Sequence, residues 1–230
     1  MKKETEIRTG SKRERTRDRL LVSAQTLLLE QTAAGLGLRQ ITTHAGMVHT
    51  SFYNYFADIP AILDNLSELY GATHMAAIAG LDLQNYTPGG RFARIARQVF
   101  RILSEKPEFG RLVFDVGLPV DFLGNQLRLQ LKGELERAVA TGRFGVANVD
   151  VVASIAVGSV RGLALDIHRG YLSSDKIDAA TAQLLLNLGI PPALAEFAAH
   201  EPIIFPPTPA FPMRWLALPI TFDPNAAQLP

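Results

Sequence analysis

Leu38-Arg39-Gln40-Ile41-Thr42-Thr43-His44-Ala45-Gly46-Met47-Val48-His49-Thr50-Ser51-Phe52-Tyr53-Asn54-Tyr55-Phe56 is the stretch that decides how this chain is read. Ile41, Ala45, Val48, Phe52 and Phe56 recur every three or four residues, the period of one buried helical face. Gly46 interrupts the pattern, so it predicts a short helix over 38–45, a turn, and a second short helix over 49–55. Two short helices joined in this way form a helix-turn-helix, in which the second enters the major groove of DNA and the first braces it across the backbone. Away from the apolar side stand Thr42, Thr43, His49, Thr50, Ser51, Tyr53, Asn54 and Tyr55, with no carboxylate among them. Hydrogen-bonding side chains without negative charge suit a phosphate-lined groove. An amphipathic helical hairpin has the same pattern, which keeps a helical protein-interaction module open as the alternative reading.

The flanking segments are also helical by pattern. Ser11-Lys12-Arg13-Glu14 fits a capping box, and Leu20, Leu21, Ala24, Leu27 and Leu28 form an apolar stripe that should run to about Ala33, ahead of Gly35 and Gly37. Asp58 is the expected N-cap of a long helix with Pro60 in its first turn. Ile62, Leu63, Leu66, Leu69, Tyr70 and Thr73 carry that helix toward Gly80. Beyond a Thr-Pro-Gly-Gly loop, further helices are expected over 91–103, 107–116, from Pro119 to Thr141-Gly142, from an Asn148 or Asp150 cap to Arg169, from a Ser174 or Asp175 cap to Gly189, and over 192–199. Strand signals are scarce, so the fold class is all-α. The proline-rich segment 201–230 reads as extended. Its Phe205, Phe211, Met213, Trp215 and Leu216 make it too apolar for a simple solvated linker.

Composition narrows the function. The chain has 230 residues, of which 47% are hydrophobic and 20% charged, as in an ordinary globular protein. Its net charge of +1 hides an asymmetry: residues 1–58 hold nine basic residues, Lys2, Lys3 and Arg8 among them, against six acidic ones, and the remainder sums to −2. A basic end on a neutral body is the footprint of a polyanion-binding segment. With no cysteine, thiolate metal sites and cysteine nucleophiles are excluded. The histidines His44, His49, His74, His168 and His200 lack metal-ligand spacing, and there is no glycine-rich phosphate loop or nucleophile elbow. Neither an enzyme nor a metal or other cofactor is expected. The apolar run Val151 to Val160, bounded by Asp150 and Arg161, is half the length of a membrane span, and the basic N-terminus is followed by no signal-peptide core. A cytoplasmic protein with no membrane partner is expected.

Ala153, Ser154, Ala156, Gly158, Ser159 and Gly162, followed by Ile177, Leu184, Leu185 and Leu188, would let two helices approach closely and suit either a two-helix dimer face or tight intrachain packing. Phe92, Phe100, Phe109, Phe114 and Phe122, with His74, Gln126, Arg161 and His168 interspersed, read as core or as the wall of an apolar pocket. Arg91, Arg94, Arg97 and Arg101 read as a solvated basic face.

Over residues 11–70 the sequence resembles the DNA-binding domain of the TetR (tetracycline repressor-like) family of bacterial regulators. Ile41, Ala45, Gly46, Phe52, Tyr53, Tyr55 and Phe56 match its motif, and Asp58 stands at the cap of the next helix. Glu105-Lys106-Pro107-Glu108-Phe109 and Thr141-Gly142-Arg143-Phe144 are similar to patterns of the family's C-terminal domains. The sequence departs from the family at Gly37 and Val48, where capping threonine and serine are usual, and at Ile59, where a phosphate-binding lysine is common.

The resemblance implies a three-helix helix-turn-helix domain over 11–57, joined by a long helix to a ligand-binding and dimerisation domain over 58–200, with the tail 201–230 outside both. It implies Tyr53 and Tyr55 on phosphate, His49, Thr50, Ser51 and Asn54 in the groove, Arg39 and Thr43 on the backbone, and Lys12, Arg13, Arg15 and Arg17 as electrostatic attraction. The implied partners are palindromic or pseudo-palindromic double-stranded DNA, a second copy of the chain and a small apolar effector, with a regulator that acts without a small-molecule ligand as the alternative. The expected dimer residues are Ser154, Gly158, Arg161, Leu165, Leu184 and Leu188. The effector would lie against His74, Met75, Ile78, Phe100, Phe109, Phe114, Phe122, Gln126 and His168.

Overall fold

A computed structural model describes residues 10–84, 86–118, 121–140 and 148–218. Lys2, Lys3, Arg8, Pro119, the Thr141-Gly142-Arg143-Phe144 motif and the tail beyond 218 lie outside the described residues, as do the side chains of Phe122 and Gln126. Among the described residues the chain is all-α, with no strand. It divides into two compact units, the first comprising Met1–Ala76, Arg111–Phe122 and Pro209–Pro230, the second Ala77–Gly110 and Leu123–Thr208.

In the first unit α1 (Lys12–Leu28) starts on the predicted capping box: the Glu14 amide donates to Ser11 Oγ at 3.2 Å and the Ser11 amide to Glu14 Oε2 at 2.7 Å. Leu20, Leu21, Ala24 and Leu28 are fully buried along one stripe. α1 ends before Ala33 because the Leu29 and Glu30 amides turn back to the Thr26 and Leu27 carbonyls, tightening the last turn. A separate 3₁₀ turn covers Ala33–Gly35. α2 (Leu38–His44) has no capping side chain at Gly37; instead the Gly37 amide donates to Gln40 Oε1 at 2.7 Å. Gly46 takes φ +63°, the left-handed conformation the turn requires. α3 (Ile59–Ala79) starts where Asp58 Oδ1 accepts the Ala61 amide at 2.8 Å, and it runs on into the second unit.

The second unit is built on α4 (Pro88–Glu105), which Thr87 caps, and the short α5 (Pro107–Gly110) follows it. The single helix expected over 107–116 is broken, since Arg111–Asp115 is a π-type turn closed by the Val116 amide on the Arg111 carbonyl. α6 (Asp121–Ala140), α7 (Val149–His168), α8 (Ile177–Asn187) and α9 (Pro192–His200) complete the bundle. Asn148, rather than Asp150, caps α7, its Oδ1 accepting the Val151 amide at 3.1 Å. Phe92 lies against both core clusters, one of Leu131, Leu135, Ala153, Ala156 and Leu188, the other of Ala93, Leu185 and Ala195. At Gly110, α5 abuts α7 so closely that an added Cβ would fall 2.4 Å from His168 Nδ1.

α7 extends past Arg161 and, among the described residues, is the one helix long and apolar enough to cross a membrane. The sequence pattern ends its apolar run at Arg161. Arg161 and Asp166 would be costly at bilayer depth, and Ala153, Ala156, Ala164 and Ile167 are buried within the chain.

Of the basic stripe only Arg91 keeps a largely solvated side chain, 43% exposed. Arg94 and Arg97 are buried and Arg101 half-buried because the extended chain after α9 gives their guanidinium groups carbonyl oxygens to bond: Arg94 Nη2 donates to Pro202 O at 3.5 Å, Arg97 Nη1 to Glu201 O at 2.7 Å and Arg101 Nη1 to Pro206 O at 2.9 Å. Arg94 also pairs with Glu201 at 3.2 Å, and Arg97 with Asp178 at 2.9 Å. Over the described residues 201–218 the tail is extended as expected, except for a 3₁₀ turn at Trp215–Ala217.

Candidate nucleic-acid interface

The helix-turn-helix segment 38–56 is held from beneath by aromatic packing. Phe52 is fully buried, with its ring 5.7 Å from Phe56 and 5.9 Å, edge to face, from Tyr53. The second helix of the motif is a 3₁₀ helix over His49–Asn54, not the α-helix its spacing suggested. The Ser51 and Tyr55 amides bond to carbonyls three residues back, at Val48 and Phe52.

Above this anchor Arg39, Thr43, His49, Thr50, Tyr53 and Asn54 are exposed, and Ser51 and Tyr55 are half-buried. His49 and Tyr53 meet edge to face at 6.0 Å. Two members of the pattern change sides. Thr42 is buried, with its hydroxyl satisfied by the Leu38 carbonyl at 3.0 Å, whereas Val48 is 69% exposed because it caps the second helix rather than joining its apolar side.

α1 supplies the cationic border. Arg13 Nη2 donates to the Asn54 carbonyl at 3.3 Å, and Lys12, Arg13, Asn54 and Tyr55 line a cleft of about 520 Å³. Arg17, grouped with the arm by sequence, is half-buried: its guanidinium lies 5.3 Å from the centre of the Phe56 ring and bonds Asn65 Oδ1. It therefore braces α1 on the reading segment and the start of α3.

The expected effector residues divide between the units. In the first, His74 is buried and Met75 and Phe114 are half-buried. His74 stacks on Tyr70 with ring centres 4.2 Å apart, and its Nδ1 lies 3.0 Å from the Tyr70 carbonyl. Burial pulls the imidazole down to about 4, the carbonyl opposing, and pushes the Tyr70 hydroxyl above its ordinary range. In the second unit Phe100, Phe109 and Ile78 are buried and His168 is half-buried. Sequence reading missed Gln98 on α4, fully buried with neither amide atom hydrogen-bonded. Its one sequence signal is an uncharged amide inside an otherwise buried helix stretch. A buried amide with both functions open can bind a group that donates and accepts, such as a hydroxyl.

On the other helices, Ser154, Gly158 and Arg161 are exposed with Val151 and Ile155, and Leu165 is half-buried. Leu184 and Leu188 do not face outward. They pack inside the chain, Leu188 in the cluster with Leu131 and Leu135, and the outward apolar residue of α8 is Leu186. Helix periodicity gives α8 an apolar side but does not say which of its leucines the neighbouring helices cover.

An all-helical chain whose exposed, carboxylate-free helix-turn-helix sits beside a basic first helix has the architecture of a DNA-binding regulator. The fold is TetR-like. RolR, solved with its ligand resorcinol, is 27% identical, covers 86% of this chain and 98% of its own, and superposes with a TM-score of 0.64. A TetR-family regulator from Vibrio parahaemolyticus, at 19% identity, covers 75% of this chain and 98% of its own at 0.60. FadR from Bacillus subtilis, solved with stearoyl-CoA, is 14% identical with the same coverage at 0.61. At the level of sequence, no family model and no curated protein gives a match.

Proposed function

We propose that the chain is a sequence-specific DNA-binding transcriptional regulator, acting as a homodimeric repressor that a small apolar ligand releases from a palindromic or pseudo-palindromic operator. In this reading residues 11–57 read DNA, 58–200 bind ligand and dimerise, and the protein works in the cytoplasm without catalysis. The observation that carries it is the face of Arg39, Thr43, His49, Thr50, Ser51, Tyr53, Asn54 and Tyr55, bordered by Lys12 and Arg13 and free of carboxylates. Exposed aromatic hydroxyls and short polar groups beside cations suit phosphate and base-edge contacts.

Selection of bound duplexes from a random pool tests this reading. A repeated half-site with centres about 34–36 Å apart, or a multiple of that, is expected of a two-fold helix-turn-helix dimer. A chain that enriches no sequence and shifts no duplex at low salt is not a DNA-binding regulator. Within that experiment Tyr53→Ala should weaken all duplexes by a similar factor, since a phosphate contact positions the protein without reading bases. Ser51→Ala should alter the enriched sequence. Relaxed preference at one base in Tyr53→Ala, with nonspecific affinity intact, would reverse the assigned roles.

The homodimer is supported by the outward face of Val151, Ser154, Ile155 and Gly158 on α7 and of Leu186 on α8. A Cβ placed at Gly158 meets nothing within 4 Å, so Gly158→Arg leaves the single chain's packing undisturbed. Against a second copy the same arginine would be an unpaired buried charge costing several kcal/mol. Sedimentation velocity should show the variant as a monomer, and an undisturbed dimer would move the interface elsewhere.

Ligand binding is supported by Phe100 and Phe109 with the open amide of Gln98, all in the second unit. RolR and FadR, solved with resorcinol and stearoyl-CoA bound, are precedents for a bound ligand in this fold.

A further inference from the structure

From Pro209 the chain rejoins the first unit, and there it lies on α1. Gln25 Nε2 donates to the Met213 carbonyl at 2.9 Å, and the Met213 amide donates to Gln25 Oε1 at 2.8 Å, a pairing between residues 188 apart in the chain. A primary amide that donates to and accepts from one residue pairs with its backbone as a neighbouring strand would. Asp18 stands about two turns earlier on α1, so the two side chains emerge on one side of the helix. One Asp18 oxygen accepts Arg214 Nη1 at 2.9 Å and the other the Trp215 amide at 3.1 Å. Arg214 between them is extended, with φ −140° and ψ 132°.

Side chains complete the fit. Met213 is buried, and Leu216 Cδ2 packs so closely at Gly10 that an added Cβ there would come within 2.6 Å. The segment therefore runs antiparallel to α1, with Met213 at Gln25, Trp215 at Asp18 and Leu216 at Gly10. Asp18 and Gln25 are buried as well. A carboxylate and an amide enclosed in this way need partners, and the tail supplies them to both oxygens of Asp18 and both amide functions of Gln25. The same helix bonds the Asn54 carbonyl through Arg13 and stacks on Phe56 through Arg17, so α1 is held by the helix-turn-helix and by the tail segment together.

We propose that Asp18 and Gln25 of α1 form a peptide-recognition site for an extended segment that presents an apolar residue, an arginine and an aromatic residue in succession, and that residues 213–216 of this chain are its occupant. Every contact the site uses lies within the first unit. Gln25 recognises backbone alone, whereas Asp18 selects a cation beside a free amide, a charge-assisted pairing stronger than a neutral one. The helix-turn-helix head is then not complete at residue 57. Its first helix is finished by a segment from the far end of the chain, and it loosens when that segment leaves. The site stands apart from the regulator reading, and its test does not depend on DNA binding.

Trp215 is the chain's one tryptophan and is half-buried, so its emission reports docking directly. For the test, a protease recognition sequence is placed between Thr208 and Pro209 of the full chain. Cutting turns the tail into a separate ligand and removes the millimolar effective concentration that a short tether provides. On dilution to low micromolar the indole emission should move to the wavelength of tryptophan in water, and exchange of the α1 amides 18–25 should speed by about tenfold. A synthetic peptide of residues 209–218 should reverse the exchange at about millimolar concentration, whereas the same peptide carrying Arg214→Glu should not. If the cut segment stays bound on dilution, Gln25→Ala should release it, with Asp18→Asn as the second variant should the first fold poorly. Departure of the segment with α1 exchange unchanged, failure of the natural peptide, equal action of the two peptides, or retention of the segment by both variants overturns the site.

Discussion

Phe52→Ala should destabilise the reading head by about 3–5 kcal/mol and abolish duplex binding, the largest effect expected of a single truncation here. Phe52 is wholly buried and its ring touches those of Tyr53 and Phe56, so its removal leaves a cavity at the base of the helix that presents His49 to Asn54. A 3₁₀ helix of this length has poor hydrogen-bond geometry and depends on packing more than on its own backbone. Since a domain's whole stability is about 5–15 kcal/mol, the loss is a large fraction of the total. Denaturant titration gives the stability change and a mobility shift against random duplex gives the binding loss. A stable variant that still shifts DNA would mean that Phe52 is not the anchor of the reading segment.

Acidification gives the second large effect. His74 has its folded pKa held down to about 4 by burial, below the ordinary 6.5. The imidazole is neutral in both folded and unfolded chains at neutral pH, so it contributes its full share of stability above 6.5. Below that value the unfolded chain binds a proton that the folded chain refuses, and stability is lost as pH falls from 6.5 toward about 4. The loss amounts to about 3 kcal/mol at the end of that window. His74→Phe keeps a ring on Tyr70 and removes the titration. Denaturant midpoints at neutral and acid pH should therefore fall less in the variant than in the natural chain. An equal fall would show that His74 is solvated or already protonated in the folded state.

The sequence was most legible where a short-range rule is sufficient. Ser11 and Glu14 cap α1 and Asp58 caps α3, because a cap is settled by residues within one turn of each other. The turn at Gly46 follows equally from local backbone geometry. The polar face of the candidate site was also legible, since the amphipathic period fixed which residues avoid the core, and only Thr42 and Val48 changed sides.

What the pattern could not give is which neighbour covers a given face. Arg94, Arg97 and Arg101 recur at helical spacing like any solvated stripe, and they are buried or half-buried because a distant proline-rich segment supplies the carbonyls their guanidinium groups need. Leu184, Leu186 and Leu188 are chemically alike, yet Leu184 and Leu188 enter the core and Leu186 faces out. Gln98 differs from an exposed glutamine only in being enclosed on all sides.

By itself the sequence determined the all-α class, the helix-turn-helix and its carboxylate-free polar face, since periodicity, capping and turn residues act over a few positions. Tertiary structure decided the 3₁₀ form of the reading helix, the buried arginines and the docking of residues 201–216 on α1 and α4. Each of those depends on contacts between residues far apart in the chain, whose partners no local period encodes.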